Sequence, residues 1–365
     1  MDFRGVGTKN GVLIAAMALL VAGCAAFGTH PASQRQGPGQ GQAPKPTTVS
    51  HPKAKPTASK NLLPVGGTAQ KVGVAGSYWV GSSTFTITEP AHTNVAGTAL
   101  PARQLLMEIR YPLAGPPSKT KKPARGPLPM IVFAPGFMQC GLHYFDMLKY
   151  WATAGYVVAV VNFPKSDCKV GDAATESDMI NQPYDMSYAI TTLLAMSKAK
   201  RGLFAGLLAP RKIGIAGQSD GGDTVAFIAG NTCCSDGRVK AVAVQSGAEW
   251  PPVPGKWFAR TPVPILFTQG SRDVINPPGC SVKMYRDDPS KARFYLDMLG
   301  ATHTEPYWGI NRYEEITVRV TLAFFDRYVL HQASQKSQMS RQGNKPHLAA
   351  LYRAGGGNLA LTPCT

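Results

Sequence analysis

Short apolar runs alternate with longer amphipathic stretches from residue 77 onward, and this alternation restricts the chain to few folds. Runs such as P-M-I-V-F-A (129–134) and Y-V-V-A-V-V-N (156–162) are continuously apolar, which is typical of strands buried on both faces of a sheet. Strands that alternate with helices predict an α/β fold with a mostly parallel central sheet and helices on both faces. The first predicted strand is antiparallel and comprises 78–81 and 84–88, and the others are 105–111, 129–134, 156–162, 212–217, 239–245, 262–268 and 292–299. The predicted helices are about 143–153, 176–199, a stretch after Ser219, and 312–330.

A serine follows the strand predicted at 212–217, in the sequence G-Q-S-D-G-G (217–222). Ligands of parallel sheets bind at the carboxyl ends of the strands, so the residues directly after each strand are the candidates for chemistry. In the pattern G-x-S-x-G, the glycines allow a sharp strand-to-helix turn that lifts the serine hydroxyl above the sheet. This context predicts that Ser219 is a catalytic nucleophile, and a structural serine in a glycine-rich turn is the alternative.

A serine nucleophile needs a basic histidine and an orienting acid, and in this arrangement the acid and then the histidine follow the serine in the chain. His303 lies four residues beyond the last predicted strand and is the predicted base, whereas His331 and His347 lie in or beside the polar C-terminal segment. Asp273 follows the strand 262–268 and is the predicted acid, which would orient the imidazole. The alternative acids are Asp287, Asp288 and Asp297.

Two backbone amides are predicted to stabilise the oxyanion that forms when a carbonyl is attacked. One belongs to Asp220, directly after the nucleophile, and the other to Phe137 in F-A-P-G-F-M-Q (133–139), where Gly136 lets the chain turn inward. The adjacent cysteines 233 and 234 are not a C-x-x-C pair and have no histidine cluster beside them. The sequence therefore implies neither a metal nor a cofactor.

The N-terminus has the features of an export signal. Two basic residues precede the apolar run 11–23, which is too short for a membrane helix and is typical of a signal-peptide core. The run ends in V-A-G-C, which resembles the lipobox of bacterial lipoproteins, whose cysteine is acylated. We therefore predict a signal peptide over 1–23 and a lipid anchor on Cys24 that holds the exported protein at the cell membrane, facing outside the cytoplasm. An ordinary signal peptide with a chance cysteine is the alternative, and the Pro/Gly/Gln-rich residues 24–71 are predicted to form a disordered tether.

The net charge of +17 is unevenly distributed along the chain. Residues 24–71 carry six Lys and Arg, and residues 118–125 and 331–365 carry four each, with no acidic residue in any of the three segments. The folded domain predicted over 72–330 is almost neutral outside its one basic loop, which argues against nucleic-acid binding. Residues 331–365 are predicted to be a basic C-terminal extension.

Four segments together resemble the α/β-hydrolase superfamily over about residues 77–330. They are A-P-G-F-M (134–138), G-Q-S-D-G-G (217–222), G-S-R-D-V-I-N-P (270–277) and G-A-T-H-T-E-P (300–306). The branch that looks most similar comprises dienelactone-hydrolase-like proteins, cutinase-like polyester hydrolases and the platelet-activating-factor acetylhydrolases. The resemblance implies an α/β-hydrolase fold and the activity of a serine hydrolase.

The resemblance also implies roles for individual residues. Ser219, Asp273 and His303 match the family's catalytic triad, in agreement with the roles inferred from the strand ends. Two positions depart from the family pattern. Dienelactone hydrolases have a cysteine as the nucleophile, and polyester hydrolases usually have an apolar residue where Asp220 stands and a histidine or tryptophan where Gln218 stands.

The segment between Gln245 and Pro262 is short and rich in proline. Families with interfacial lids insert helices at this point, so no large lid is predicted here. An open substrate cleft walled by Phe137, Met138 and Trp250 follows as an expectation.

Six cysteines remain besides the one predicted to be acylated, and an even number in an exported protein favours disulfides. In the superfamily that the chain resembles, the strands at 129–134 and 156–162 lie side by side, and Cys140 and Cys168 each follow one of them by six residues. The resemblance therefore implies a Cys140–Cys168 disulfide. Two free thiols, or a bridge from Cys140 to Cys280, are the alternatives.

These features predict a secreted, membrane-tethered serine esterase that acts on a small ester or a lipid. Ser219 attacks the ester carbonyl, His303 transfers the proton, and water releases the acyl-enzyme. One alternative is a phospholipid acyl hydrolase, and another is a non-catalytic surface-binding lipoprotein on the same fold. Acyl chain length, leaving group and oligomeric state are not determined by the sequence.

Overall fold

The computed structural model describes residues 66–67, 69–248, 254–259, 263–356, 359 and 364. All of these residues belong to one compact unit, Ala58–Thr365. The predicted signal peptide, Cys24 and nearly all of the predicted tether lie outside the described residues, and so does Trp250. Among the helices of the described residues, none is long and apolar enough to cross a membrane.

A nine-stranded sheet runs through the centre of this unit, in the order β1-β4-β6-β5-β7-β8-β9-β10-β11. Its strands are β1 (Trp79–Glu89), β4 (Arg103–Leu113), β5 (Leu128–Ala134), β6 (Val157–Asn162), β7 (Leu208–Gln218), β8 (Val239–Gln245), β9 (Ile265–Gly270), β10 (Arg293–Met298) and β11 (Ala349–Arg353), and the short strands β2 (His92–Thr93) and β3 (Ala99–Leu100) form a separate ribbon. The six strands from β6 to β10 in this order are mutually parallel, and β1, β4 and β11 add antiparallel edges. The mostly parallel sheet predicted from the sequence is confirmed.

Helices cover both faces of the sheet, as predicted. They are α1 (Phe145–Thr153), α2 (Gln182–Lys198), α3 (Asp220–Gly230), α4 (Pro278–Asp287), α5 (Arg312–Tyr328) and α6 (Gln335–Gly343), with 3₁₀ turns at Gly171–Ala173 and Glu176–Ile180. Buried side chains of α2, α3 and α4 share one hydrophobic core with the sheet, and those of α1, α5 and α6 share a second core on the other face.

Burial explains why some strands are continuously apolar and others alternate. All residues of β5, β6 and β9 are buried, because helices cover both faces of these central strands. In the edge strand β1, Ile87 is buried and Phe85 is half-buried, whereas the threonine between them and the threonines on either side are exposed. A continuously apolar sequence therefore indicates a central strand, and an alternating sequence indicates an edge strand.

The C-terminal segment 331–365 contributes to the same sheet. Helix α6 packs against α5, and β11 pairs antiparallel with β10. This places the segment that sequence analysis set apart as an extension at the edge of the central sheet. Helix α4 and strand β11 were not predicted, although the prolines at the start of α4 are typical of a first helical turn.

Three disulfides join the six described cysteines. Cys140 is bonded to Cys168 with a Cα–Cα distance of 5.3 Å, which confirms the implied pairing and excludes both alternatives. This bridge lies beside a parallel β-bridge between Gln139 and Asp167, so it ties the loop after β5 to the loop after β6. The other two disulfides are Cys233–Cys234 and Cys280–Cys364.

Removing the Cys140–Cys168 bridge should destabilise the protein. The bond closes a loop of 28 residues, and its loss gives the unfolded chain more conformational freedom. We expect the double variant Cys140→Ser/Cys168→Ser to lose about 2–4 kcal/mol of unfolding free energy, measured by urea titration. Wild-type protein titrated without a thiol reductant, with all three disulfides intact, gives the comparison, and equal stability of the two proteins would contradict this expectation.

Candidate active site

Ser219 occupies a strained turn between β7 and α3. Its backbone has φ 57° and ψ −125°, a left-handed conformation that is costly for any residue except glycine. The flanking glycines are required by close packing, because a Cβ on Gly217 would overlap the carbonyl of Gly221, and a Cβ on Gly221 would overlap the carbonyl of Ala134. The turn therefore raises the serine above the carboxyl end of the sheet, at the N-cap position directly before helix α3.

Asp273 and His303 form a buried pair at the same edge of the sheet. His303 Nδ1 lies 2.7 Å from Asp273 Oδ2. The carboxylate also accepts hydrogen bonds from Gln269 Nε2 at 2.7 Å and from the backbone amides of Ile275 and Asn276 at 3.0 and 2.9 Å. These donors fix the carboxylate and thereby the plane of the imidazole.

Neighbouring strands bring the acid and the histidine together. Asp273 follows β9 and His303 follows β10, and these two strands are parallel neighbours. The loops are joined directly, because Ser271 N donates to the carbonyl of Met298 and Arg272 N donates to the carbonyl of Ala301, both at 2.9 Å. Asp273 and His303, which are 30 residues apart in the chain, are therefore in contact because the strands that precede them are neighbours in the sheet.

Gln218, the residue before the serine, contacts the histidine. Gln218 Nε2 lies 3.1 Å from His303 Nε2, and Gln218 Oε1 accepts a hydrogen bond from the hydroxyl of Tyr144 at 2.7 Å. Among the hydrogen bonds of the described residues, none joins the Ser219 hydroxyl to His303. The structure thus brings the three predicted residues to one edge of the sheet, with the imidazole bonded to Asp273 and Gln218.

Among the backbone amides of the described residues 136–139, only that of Phe137 has no hydrogen-bond acceptor. Met138 N donates to the carbonyl of Ser166, Gln139 N donates to the carbonyl of Gly136, and Gly136 N donates to the hydroxyl of Tyr144. In the described part of the chain, the amide of Phe137 has no acceptor. A Cβ on Gly136 would lie 3.0 Å from the Cβ of Ser219, so this loop passes directly beside the predicted nucleophile.

The carboxyl group of Asp220 lies at the start of α3. It is buried, and one of its oxygens, Oδ2, has no hydrogen-bond partner. Burial and, to a smaller extent, the negative charge of Glu176 together raise its pKa to about 7, and a hydrogen bond with the backbone amide of Asp220 itself opposes the shift. The charge of this carboxyl group therefore changes near neutral pH, beside the amide predicted to bind an oxyanion.

Exposed apolar side chains lie on the loops that follow β5, β9 and β10. Phe137 is half-buried, and Met138, which has a positive φ, is 40% exposed. These loops carry further exposed apolar residues, namely Leu142, Val274, Ile275 and Ile310, and Phe145 at the start of α1 is also exposed. Trp250, the third residue predicted to wall the cleft, lies outside the described residues.

The alternative acids lie on other elements. Asp287 is the last residue of α4, Asp288 follows it and accepts a hydrogen bond from Ser290 N, and Asp297 lies within β10. Sequence reasoning missed Gln218, Tyr144 and Gln269, which hold the histidine and the acid. Each of the two glutamines precedes or lies near a predicted catalytic residue, but glutamine carries no charge that would single it out.

In the part of the chain that the structure describes, no cluster of three or more His, Cys, Asp or Glu residues could hold a metal ion. No protein-family model matches this chain, and no curated protein matches it significantly. The functional conclusion therefore rests on the geometry of the site.

Proposed function

We propose that this protein is a serine hydrolase of the α/β-hydrolase type that cleaves carboxylic esters. The observation that carries the proposal is the combination of a left-handed Ser219 in a strand-to-helix turn with a buried His303–Asp273 pair 2.7 Å apart at the same sheet edge. A serine in this backbone conformation costs about 1–3 kcal/mol, and such strain is characteristic of functional sites.

The proposed mechanism assigns one role to each group. Ser219 Oγ attacks the ester carbonyl while its proton passes to His303 Nε2, and Asp273 stabilises the resulting imidazolium. The amides of Phe137 and Asp220 donate to the oxyanion, and the imidazolium then protonates the leaving alcohol. Water repeats the sequence on the acyl-enzyme, so that a carboxylic acid is released and Ser219 is regenerated.

The exposed apolar loops favour esters with an apolar acyl group. Met138, Leu142, Val274, Ile275 and Ile310 stand on three separate loops beside the triad, where they can contact a hydrocarbon chain. This observation also supports the second candidate, a phospholipid acyl hydrolase. A series of p-nitrophenyl esters of increasing acyl length, assayed beside phospholipid vesicles, separates the two activities.

A fluorophosphonate probe tests the proposal itself. The probe forms a covalent bond with an activated serine, so peptide mapping should recover the label on Ser219. A non-catalytic surface-binding lipoprotein on the same fold would not be labelled. Absence of label from folded protein would overturn the proposed function.

The charge of Asp220 should limit activity at alkaline pH. Because its pKa is raised to about 7, the carboxyl group is neutral below this pH and becomes negative above it, beside the developing oxyanion. We expect kcat/KM of the wild type at pH 8.5 to be about tenfold lower than that of Asp220→Asn, whereas the two should be similar at pH 6.

The same shift predicts the pH dependence of stability. A raised carboxyl pKa means that the folded state binds the proton more tightly, so its stabilising effect is full at low pH and is lost as pH rises toward 7. Asp220→Asn should therefore be more stable than the wild type at pH 8 but not at pH 4, by urea titration. Parallel curves for the two proteins would show that the Asp220 pKa is not raised.

We also propose that the protein is exported and held at the membrane by a lipid on Cys24. This proposal depends on the V-A-G-C sequence after an apolar run. Cys24→Ser should transfer the mature protein from the membrane fraction to the soluble fraction after cell lysis, because the acyl chains are lost. Alkaline carbonate washing controls for loosely attached protein, and a variant that stays in the washed membranes would contradict the anchor.

A further inference from the structure

Gln218 links the loop after β5 to His303 through a series of hydrogen bonds. Gly136 N donates to Tyr144 Oη at 3.1 Å, and Tyr144 Oη donates to Gln218 Oε1 at 2.7 Å. The amide nitrogen of Gln218 faces His303, at 3.1 Å from Nε2 and 3.5 Å from the backbone carbonyl oxygen. Gln218, Tyr144 and His303 are all buried, so these contacts hold both ends of the glutamine amide.

The positions of the protons follow from these contacts. The Tyr144 hydroxyl has one proton and gives it to Gln218 Oε1, which fixes the amide with its NH₂ group toward His303. The carboxylate of Asp273 lies 2.7 Å from His303 Nδ1, so the neutral ring carries its proton on Nδ1 and a lone pair on Nε2. That lone pair accepts a hydrogen bond from Gln218 Nε2.

We propose that Gln218 is a positioning residue that holds the His303 base in a resting arrangement. Its amide occupies the Nε2 lone pair, for which the Ser219 hydroxyl must compete before it can transfer its proton. The inference rests on the proposed function, because it concerns the base that would activate Ser219. It explains why the imidazole is bonded to Gln218 and not to the serine in the described residues.

Two substitutions of Gln218 should change the reactivity of Ser219 in opposite directions. Gln218→Met is close in size and has no donor, so the lone pair becomes free and labelling by a fluorophosphonate should be about fivefold faster, the factor expected for one hydrogen bond of about 1 kcal/mol. Gln218→Glu places a carboxyl group beside Nε2 of His303. Either the neutral carboxyl group donates its proton to the Nε2 lone pair, or the imidazolium holds that proton and donates it to the carboxylate, and in both cases the lone pair is occupied. Labelling of this variant at neutral pH should be about tenfold slower.

The labelling step reports directly on the base. Ser219 Oγ forms a bond to phosphorus, the P–F bond breaks, fluoride leaves, and the serine proton passes to His303 Nε2. A role of Gln218 in packing alone would slow the reaction in both variants. Slower labelling of Gln218→Met, or equal rates in all three proteins, therefore overturns the proposal, provided that thermal unfolding shows each variant to be folded.

Tyrosine variants test the series of hydrogen bonds. Tyr144→Phe removes the donor that orients the Gln218 amide, so labelling should change in the same direction as in Gln218→Met but by a smaller factor. Tyr156→Phe is the matched control, because Tyr156 is equally buried and its hydroxyl donates to Asp326 instead. The control should be labelled at the wild-type rate, and an equal change in both tyrosine variants would overturn the assignment.

Nitrogen NMR of the imidazole tests the inference without any substrate. An imidazole nitrogen whose lone pair accepts a hydrogen bond resonates at higher field than one whose lone pair is free. The Nε2 signal of His303 should therefore move to lower field in Gln218→Met and stay in place in Tyr156→Phe. An unchanged signal in Gln218→Met overturns the resting arrangement. If no variant reacts with the fluorophosphonate, the proposed function fails, whereas the NMR result still decides the role of Gln218.

Discussion

Substitution of Ser219 by alanine should abolish ester hydrolysis while leaving the fold intact. Without Oγ no acyl-enzyme can form, and the residues of a triad act as a unit, so we expect kcat to fall by roughly 10⁴–10⁶-fold. The measurement is the hydrolysis of a short p-nitrophenyl ester, with circular dichroism to show that the variant is folded. Ser82→Ala, at an exposed serine on β1, is the matched control and should retain full activity.

Ser219→Gly separates strain from chemistry. Both Ser219 variants lack the nucleophile, but only glycine accepts φ 57° without a clash of its side chain with the backbone. We expect Ser219→Gly to be more stable than Ser219→Ala by about 1 kcal/mol, measured by urea titration. Residual activity near the wild-type level in either variant would show that Ser219 is not the nucleophile.

Substitution of Arg103 should cause the largest loss of stability from a single residue. Its guanidinium group is buried and forms paired hydrogen bonds with Asp178, at 2.7 and 2.8 Å, and with Asp185, at 2.8 and 2.9 Å. Glu89 lies 3.8 Å away, so three buried carboxyl groups surround one cation. Removing the cation leaves these groups without compensation, at a cost of about 3–5 kcal/mol.

The test of Arg103 compares three variants by urea titration at pH 7. Arg103→Ala should show the full loss, and Arg103→Lys should lose less, because it keeps the charge but cannot form the paired bonds. Arg319→Ala removes a half-exposed ion pair with Glu315 and should cost at most about 0.5 kcal/mol. Arg103→Ala as stable as Arg319→Ala would contradict the role of the buried cluster.

This cluster also supports the candidate site. Asp178 lies in the 3₁₀ turn that carries Glu176, and Asp185 lies in the first turn of α2. In the same segment, Gln182 Oε1 accepts a hydrogen bond from Thr224 of α3 at 2.6 Å. Arg103 thus anchors the segment that contacts α3, the helix that follows Ser219.

The central strands could be predicted because burial on both faces leaves a direct trace in the sequence. The predicted strand 239–245 coincides with β8, and the predicted 129–134 and 156–162 differ from β5 and β6 by one residue each. The helix predicted at 176–199 begins six residues later, at Gln182, because Pro183 favours a first helical turn and the residues before it form a separate 3₁₀ turn.

The contact between Asp273 and His303 could be predicted because chain position after parallel strands determines which loops meet. The contacts of Gln218 could not, because they depend on the side-chain direction at the last residue of β7 and on Tyr144, which is 74 residues away. The edge strand β11 was not predicted because it pairs with a neighbour, β10, along one edge only. Its residues are mostly half-buried, so they show neither a continuous apolar run nor a regular alternation.

Three glycines at the nucleophile turn leave no space for another residue. Gly136, Gly217 and Gly221 bring three backbone segments into direct contact around Ser219, and a methyl group at any of them would meet a neighbouring atom at close range. Mutational drift can change most surface positions of such a chain, but a substitution at any of these three requires neighbouring atoms of the turn or of the adjoining loop to shift. A lineage can therefore diverge beyond recognition by sequence comparison and still keep these glycines, because local geometry imposes them in every descendant that retains the turn.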